Sequence, residues 1–173
     1  MSLSAFLAFP GQGSQHLSML SKGGILDIAL SSEYSHVLEC CSELISHDVF
    51  NLIEKGPEDL INKTSITQPL LVLCSYLHYS KLVNSVDITP TYMAGHSLGE
   101  YSALVAAKSI SITEALRLVR KRGELMESAP KGSMCAIMGL EQDIITDICS
   151  IASQGDNSNV QCANLNSPNQ IVI

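Results

Sequence analysis

The sequence predicts an α/β fold followed by a smaller α+β unit, and three observations lead to this prediction. A short apolar run over residues 4–9 leads directly into a turn rich in Pro and Gly. A second apolar run, residues 92–94, leads through a tight turn into the helix-forming residues 100–107. After Lys131–Gly132 the pattern changes to short alternating strand and helix segments. We therefore expect two structural units.

The composition supports a substantial core and limits the class of partner. Of the 173 residues, 46% are hydrophobic and 16% are charged, which disfavours disorder. The net charge of −7 argues against nucleic acid or an anionic membrane as the main partner. Basic residues are unevenly placed: Arg117, Arg120, Lys121, Arg122 and Lys131 are five of the ten. An anionic ligand or acidic partner is expected to meet that region.

Compartment and metal content follow from the cysteines and the N-terminus. Six cysteines occur without a C-x-x-C pair, which suggests neither a zinc site nor a redox dithiol. We expect free thiols in a reducing compartment and no metal site. The N-terminus lacks the basic start of a signal peptide, and no apolar stretch is long enough to cross a bilayer. The prediction is a cytoplasmic protein without a membrane partner.

The first strand, residues 4–9, is expected to be buried and to end at Pro10. The turn that follows reads Gly11-Gln12-Gly13-Ser14-Gln15, and a helix is expected to begin near its last two residues. It lacks the Lys-Ser/Thr ending of a phosphate loop. One interpretation is a plain β-to-α turn. The other is a backbone that approaches a ligand closely, with Gln12 at the tip as a hydrogen-bonding group.

Two helical patterns precede the second strand, over residues 32–46 and 68–83. Pro69 fits the first turn of the second helix. That helix is apolar on most sides, so we expect it to lie in the core beside the sheet. His78 within it is interpreted as a packing or surface residue, and residues 87–90 are expected to form a loop.

The second strand ends in the G-x-S-x-G pattern of Gly95, Ser97 and Gly99. Strand, tight turn and helix in this order are the context of a nucleophile elbow, in which Ser97 presents its hydroxyl clear of the backbone. The glycines remove side chains that would collide across the turn. The helix after Ser97 points N–H groups at the place where an oxyanion would develop. Ser97 is therefore the candidate nucleophile.

A further helix is predicted from a capping box at Ser111 and Glu114 to a stop before Pro130. Its apolar stripe consists of Ile112, Ala115, Leu116, Val119, Gly123 and Met126. Arg122 lies about 60° from the centre of that stripe, on the edge of the buried face. A cation there needs an anionic partner. An internal Asp or Glu and a carboxylate ligand are the two alternatives.

The remaining chain predicts strand 134–138, helix 141–152, strand 160–165, turn 166–169 and strand 170–173. This β-α-β-β order resembles most of a ferredoxin-like α+β unit, which would need a second helix and a fourth strand. We therefore expect these 173 residues to be the front part of a longer fold.

Five motifs occur in one order along the chain: Phe9-Pro10-Gly11-Gln12-Gly13-Ser14-Gln15, Thr67-Gln68-Pro69, Gly95-His96-Ser97-Leu98-Gly99-Glu100-Tyr101, Arg122-Gly123 and Ala163-Asn164-Leu165-Asn166-Ser167-Pro168. Together they closely resemble the malonyl-CoA:acyl carrier protein transacylase family of fatty acid synthesis, whose relatives include acyltransferase domains of polyketide synthases. The resemblance covers the whole chain but only the N-terminal part of a family member. It implies an α/β-hydrolase-like large subdomain over residues 1–130 and a partial ferredoxin-like small subdomain over 131–173.

The resemblance also implies a two-step acyl transfer. Ser97 would attack the thioester of malonyl-CoA, and the phosphopantetheine thiol of acyl carrier protein would then take the malonyl group. Backbone N–H groups of Gln12 and Leu98 would form the oxyanion hole. Arg122 would hold the malonyl carboxylate as a two-pronged ion pair. The coenzyme A thioester and acyl carrier protein are thus the expected partners, with no cofactor besides the substrates.

The family uses a histidine general base in a stretch that this chain lacks. Four histidines match no catalytic position: His16, His36, His47 and His78. The turn is expected to direct the side chain of His96 away from the Ser97 hydroxyl. Losing the base costs several orders of magnitude in rate, so activity of this chain alone is in doubt.

Two alternative functions remain open at this stage. A serine esterase of α/β-hydrolase type also predicts the elbow, but it has no use for Arg122 in a neutral acyl pocket and needs a downstream Asp and His. A non-catalytic truncated paralogue would bind carrier protein or coenzyme A without turnover.

Overall fold

A computed structural model of the chain describes residues 3–154 and 159–173. It divides into two compact units, Met1–Ala129 and Pro130–Ile173. The described elements of the first unit are β1 (Leu3–Phe9), α1 (Met19–Lys22), α2 (Leu26–Ala29), α3 (Ser35–Ile45), α4 (Val49–Lys55), α5 (Glu58–Ile61), α6 (Thr64–Ser85), β2 (Ile88–Gly95), α7 (Gly99–Ala106) and α8 (Ile112–Ser128). None of the helices in the described part of the chain is long and apolar enough to cross a bilayer.

Strands β1 and β2 pair in parallel, and their register shifts between Ala5 and Phe6. The loop predicted over residues 87–90 is wrong, because β2 already begins at Ile88. Pro90 cannot donate a ladder hydrogen bond and is tolerated beside this irregularity. The parallel pairing brings the carboxyl ends of both strands to one edge of the sheet. The turn that carries Gln12 and the turn that carries Ser97 therefore lie at the same edge.

The expectation that the first strand is buried is also wrong. Side chains of β1 alternate between half-buried and exposed, and Phe6 is 63% exposed. Helix α6 contacts the half-buried side of β1, where the rings of Phe9 and Tyr79 meet edge to face at 6.3 Å. A strand covered on one face shows this alternation rather than a continuous buried run.

Helix α6 is the centre of the core, with Leu70, Leu73 and Leu77 fully buried. It begins four residues before the predicted start, so Pro69 lies inside the helix rather than in its first turn. Because proline has no backbone N–H, Pro69 cannot donate the helical hydrogen bond that the Ser65 carbonyl, four residues earlier, would otherwise accept. The guanidinium of Arg120 donates to that carbonyl instead, at 3.0 Å.

Helix α8 holds the first turn of α6 through three contacts at Ser65. Glu127 Oε1 accepts from the Ser65 backbone N–H at 2.8 Å, and Arg120 donates to the Ser65 carbonyl. Gly123 packs against the same residue so closely that any side chain on it would overlap the Ser65 backbone. The register of α8 on α6 is therefore set by its polar residues and its one glycine.

The predicted capping box of α8 is confirmed. Ser111 Oγ accepts from the Glu114 backbone N–H at 3.2 Å, while a Glu114 carboxylate oxygen accepts from the Ser111 backbone N–H at 3.0 Å. In the predicted apolar stripe Ala115, Leu116, Val119 and Gly123 are buried, while Ile112 is partly buried. Met126 is an exception, because it is 49% exposed and lies beside polar groups of α6 and α8.

The second unit contains β3 (Ala136–Met138), α9 (Gln142–Ala152), β4 (Asn164–Ser167) and β5 (Gln170–Val172). The predicted strand over 160–165 is wrong in its bounds, because regular pairing with β5 begins only at Asn164. The strands form an antiparallel sheet in the order β3-β5-β4. Ile145, Cys149 and Ile171 form its core, on which Val160 and Cys162 pack.

Candidate active site

Ser97 lies at the junction of β2 and α7, where the G-x-S-x-G pattern predicted a turn. Its φ of 52° is in the left-handed region, which is costly for a serine. Two hydrogen bonds close the turn: Gly99 N–H donates to the His96 carbonyl at 2.9 Å, and Glu100 N–H donates to the Ser97 carbonyl at 3.2 Å. Backbone strain of this kind persists at functional sites because the surroundings over-determine it.

The predicted role of the two flanking glycines is confirmed. A side chain on Gly95 would overlap the backbone of Gly99, and a side chain on Gly99 would overlap the backbone of Phe9 and Pro10. The second overlap involves the end of β1. Gly99 therefore lets the elbow pack directly on the turn that carries Gln12.

That turn does not lead straight into a helix, so the start predicted near Ser14 is wrong, and α1 begins at Met19. Ser14 Oγ donates to the Gly11 carbonyl at 3.0 Å, and Gln15 Oε1 accepts from the Gly13 N–H at 2.8 Å. Side chains that bond the local backbone offer it an alternative to the helical pattern. Gly13 has a φ of 108°, which only glycine adopts readily.

The side chain of Gln12 is tied to α6 by both ends of its amide. Its Nε2 donates to Thr64 Oγ1 at 3.3 Å, and its Oε1 accepts from Gln68 Nε2 at 3.4 Å. The backbone N–H groups of Gln12 and Leu98, the two candidate oxyanion donors, have no acceptor among the described residues. Both donors are therefore available to a ligand.

Arg122 meets the candidate nucleophile directly. Its Nη2 donates to Ser97 Oγ at 3.0 Å, and its Nη1 donates to Met126 Sδ at 3.2 Å. Within residues 3–154 and 159–173, no carboxylate oxygen lies within 4.0 Å of its guanidinium. Of the two alternatives for its anionic partner, the internal ion pair is therefore absent from the described structure. The serine hydroxyl therefore lies beside a positive charge that has no counter-ion among the described residues.

Sequence reasoning assigned no role to two further residues of this site. Gln68 is fully buried, and its Oε1 has no hydrogen-bond partner among the described residues. Its Nε2 also donates to Met126 Sδ at 3.2 Å. A glutamine in a helix that is apolar on most sides is itself a signal, because buried amides are usually fully paired. Met126 carried no such signal, since a methionine in an apolar stripe is typical of a core.

Two of the five histidines are placed by their neighbours in the structure. The ring of His96 lies beside Gly11, where the first carbon of any added side chain would come within 3.4 Å of Nδ1. His78 is exposed on α6, beside Gly23, in keeping with a packing or surface role.

This α/β unit therefore holds a serine at a strand–helix turn, with an arginine donating to its hydroxyl. A family model of the acyl transferase domain matches residues 6–173. The chain therefore belongs to the acyl transferase domain family.

Two curated relatives illustrate the similarity in sequence. The malonyl CoA-acyl carrier protein transacylase of Escherichia coli K12 is 42% identical over 171 residues, which cover 95% of this chain and 52% of that protein. The polyketide biosynthesis malonyl CoA-acyl carrier protein transacylase BaeC of Bacillus velezensis is 41% identical over 165 residues, with 95% and 54% covered. The chain spans about half the length of the curated relatives it matches.

Solved structures confirm the predicted α/β fold. The malonyl CoA-acyl carrier protein transacylase of Coxiella burnetii superposes with a TM-score of 0.86 at 39% identity, covering 99% of this chain and 54% of that one. A malonyl-transacylase in complex with its type II polyketide synthase acyl carrier protein gives a TM-score of 0.81, also at 39% identity and with the same coverage.

Proposed function

We propose that the protein containing this chain transfers a malonyl group from malonyl-CoA to the phosphopantetheine thiol of acyl carrier protein, through a malonyl ester on Ser97. The observation that carries the proposal is the 3.0 Å contact between Arg122 Nη2 and Ser97 Oγ. The names of the two curated relatives support it. One of these names specifies polyketide biosynthesis and the other specifies no pathway, at nearly equal identity, so the proposal covers both fatty acid and polyketide biosynthesis.

Arg122 accounts for the choice of a carboxylated acyl group. A malonyl group on Ser97 ends in a free carboxylate, whereas an acetyl group ends in a methyl. The guanidinium is charged at all physiological pH values and presents parallel N–H groups that match a carboxylate. Among the described residues, no Asp or Glu carboxylate forms an ion pair with this guanidinium. A neutral acyl group would leave this cation unpaired, which disfavours the esterase alternative.

The acyl transfer proceeds by two attacks at the same carbonyl carbon. Ser97 Oγ attacks the thioester carbon, and the coenzyme A thiolate leaves. The phosphopantetheine thiol then attacks the resulting ester, and Ser97 Oγ leaves. The N–H groups of Gln12 and Leu98 donate to the oxyanion in both steps, and one such donor contributes about 3 kcal/mol. In the first step a general base takes the Ser97 proton and passes it to the departing coenzyme A sulfur. In the second step it takes the proton of the attacking thiol and returns it to Ser97 Oγ. The resemblance assigns that role to a histidine outside these 173 residues.

The two compact units fit the subdomains that the resemblance implies. A parallel strand pair that ends in the elbow is the expected centre of an α/β-hydrolase-like large subdomain. In the second unit β5 lies between the mutually parallel β3 and β4, which is the split arrangement of a ferredoxin-like unit. We interpret residues 1–130 and 131–173 as the N-terminal and partial forms of these subdomains.

Intact mass measurement after incubation with malonyl-CoA tests the proposal. The expected result is a mass increase of one malonyl group, which peptide mapping places on Ser97 and which disappears when phosphopantetheinylated carrier protein is added. The Ser97→Ala variant should gain no malonyl group, because the ester oxygen is missing. Release of malonate to water without transfer would support the hydrolase instead. Binding of malonyl-CoA without any adduct would support the non-catalytic paralogue.

A further inference from the structure

Met126 lies between the cation of the site and its buried amide. Its Sδ accepts from Arg122 Nη1 and from Gln68 Nε2, both at 3.2 Å. The methionine is one helical turn after Arg122, so the two side chains extend along the same face of α8. Arg122 thus uses one nitrogen on Met126 and the other on Ser97.

A second arginine on α8 has a carboxylate, rather than a methionine, four residues after it. Arg120 lies two residues before Arg122, and its residue one turn later is Glu124. Arg120 Nε pairs with Glu124 Oε1 at 3.0 Å, so its charge is balanced within the helix. Arg122 has the same spacing to a thioether, which is neutral and a weak acceptor. The thioether orients the guanidinium without neutralising it.

The hydrogen bond from Gln68 restrains the position of the Met126 thioether. A methionine side chain has three rotatable bonds and adapts easily to its surroundings. Gln68 is fully buried in α6, and its N–H donation holds the thioether from the side opposite to the solvent. The same amide nitrogen donates to Gln12, so one buried group supports both the arginine and the turn with the candidate oxyanion donor.

We propose that Met126 is a specificity-determining positioning residue, which holds Nη1 of Arg122 so that the guanidinium faces Ser97 with its charge available to an acyl group ending in a carboxylate. The inference rests on the proposed function, because it concerns the same arginine. It adds the residue that keeps this arginine oriented and unpaired.

Binding of malonyl-CoA and acetyl-CoA in a Ser97→Ala background tests this without requiring turnover. Isothermal titration gives two dissociation constants and their ratio. Met126→Leu removes the acceptor and should reduce the preference for malonyl-CoA by about five- to ten-fold, with acetyl-CoA affinity changed by less than about two-fold. Met126→Gln restores a neutral acceptor and should retain most of the preference. Met126→Glu places a carboxylate one turn from Arg122 and should reduce the preference by roughly 100-fold.

Met138→Leu is the matched control. Met138 Sδ accepts from Gln170 Nε2 at 3.4 Å in the second unit, so the variant removes a similar contact in which Arg122 takes no part. It should leave both dissociation constants unchanged within about two-fold. Thermal unfolding of each variant reports whether the fold is intact.

The outcomes separate this inference from the proposed function. If the background prefers malonyl-CoA and Met126→Leu keeps that preference, or loses both ligands equally, Met126 has only a structural role and the inference is overturned. If the background binds both thioesters equally, the carboxylate role of Arg122 fails, and this inference fails with it. Loss of preference in Met126→Leu with recovery in Met126→Gln supports the inference.

Discussion

The two compact units differ in how far each buries its own apolar surface. In the first, the core extends through α3, α4, α6 and α8, and fully buried side chains such as Leu70 and Leu73 lie at its centre. In the second, three buried side chains form the core of the described residues, while Ile144, Ile148 and Ile151 on α9 are about half exposed or more. The second unit spans residues 130–173, a length at which a single core rarely gives much stability.

This difference explains where a strained candidate site can be placed. A non-glycine residue in the left-handed region costs about 1 to 3 kcal/mol and persists only where its neighbours determine the backbone. Ser97 has such a backbone, and Leu98 after it is 1% exposed within the first core. Arg122, Gln12 and Gln68 lie in the same unit. The contacts of the site are thus supported by the better packed part of the chain.

The largest expected effect is the loss of free energy of unfolding when a central side chain of the first core is truncated. Leu73→Ala should lower the free energy of unfolding by about 3 to 4 kcal/mol, because Leu73 is fully buried and leaves a cavity in α6. Leu82→Ala on the same helix should cost less than about 1.5 kcal/mol, since Leu82 is 37% exposed. Urea denaturation followed by circular dichroism measures both. Equal losses would mean that α6 is not the centre of the core.

Arg122→Ala should separate the chemistry of the first unit from its stability. Malonyl loading of Ser97 should fall by roughly 100-fold, or about 3 kcal/mol, because a carboxylate loses its charged partner. Acetyl loading should fall far less. Arg117→Ala is the control, an exposed arginine on the same helix, and should change neither rate. Single-turnover acylation with both thioesters measures the effect, and equal losses for the two acyl groups would remove the carboxylate role.

The smallest expected effect is a difference between the two cores in the rate at which their buried cysteines react with a thiol reagent. This rate reports how often each core opens. Desolvation raises the pKa of Cys74 to about 12 and also raises the pKa of Cys149, so near neutral pH both are protonated and depend on opening to react. Cys149 in the thinner core should label at least about ten-fold faster than Cys74. Cys135 is exposed and should react first. Mass spectrometry of quenched samples gives the three rates, and slower labelling of Cys149 than of Cys74 would reverse the comparison.

The sequence predicts correctly those features that depend on residues close together in the chain. The turn at Ser97 follows from strand, glycine and helix signals within a few residues, and both glycines are required by overlaps there. The helix start at Ser111 depends on two side chains three residues apart, which a sequence displays directly. Helical periodicity alone placed Arg122 on the edge of its buried face.

Only the tertiary structure decided which of these elements meet. Ser97 and Arg122 are 25 residues apart in sequence, Gln12 and Gln68 are 56 apart, and Gln68 and Met126 are 58 apart. The interior position of Pro69 likewise depends on a hydrogen bond from another helix, which supplies the donor that the proline lacks. Periodicity describes which face a residue occupies but not which helix or turn covers that face. Local sequence patterns were therefore sufficient for the turn at Ser97 and for the position of Arg122 on its helix. The packing of α8 on α6 brings that cation beside Ser97, with a thioether as its neutral partner.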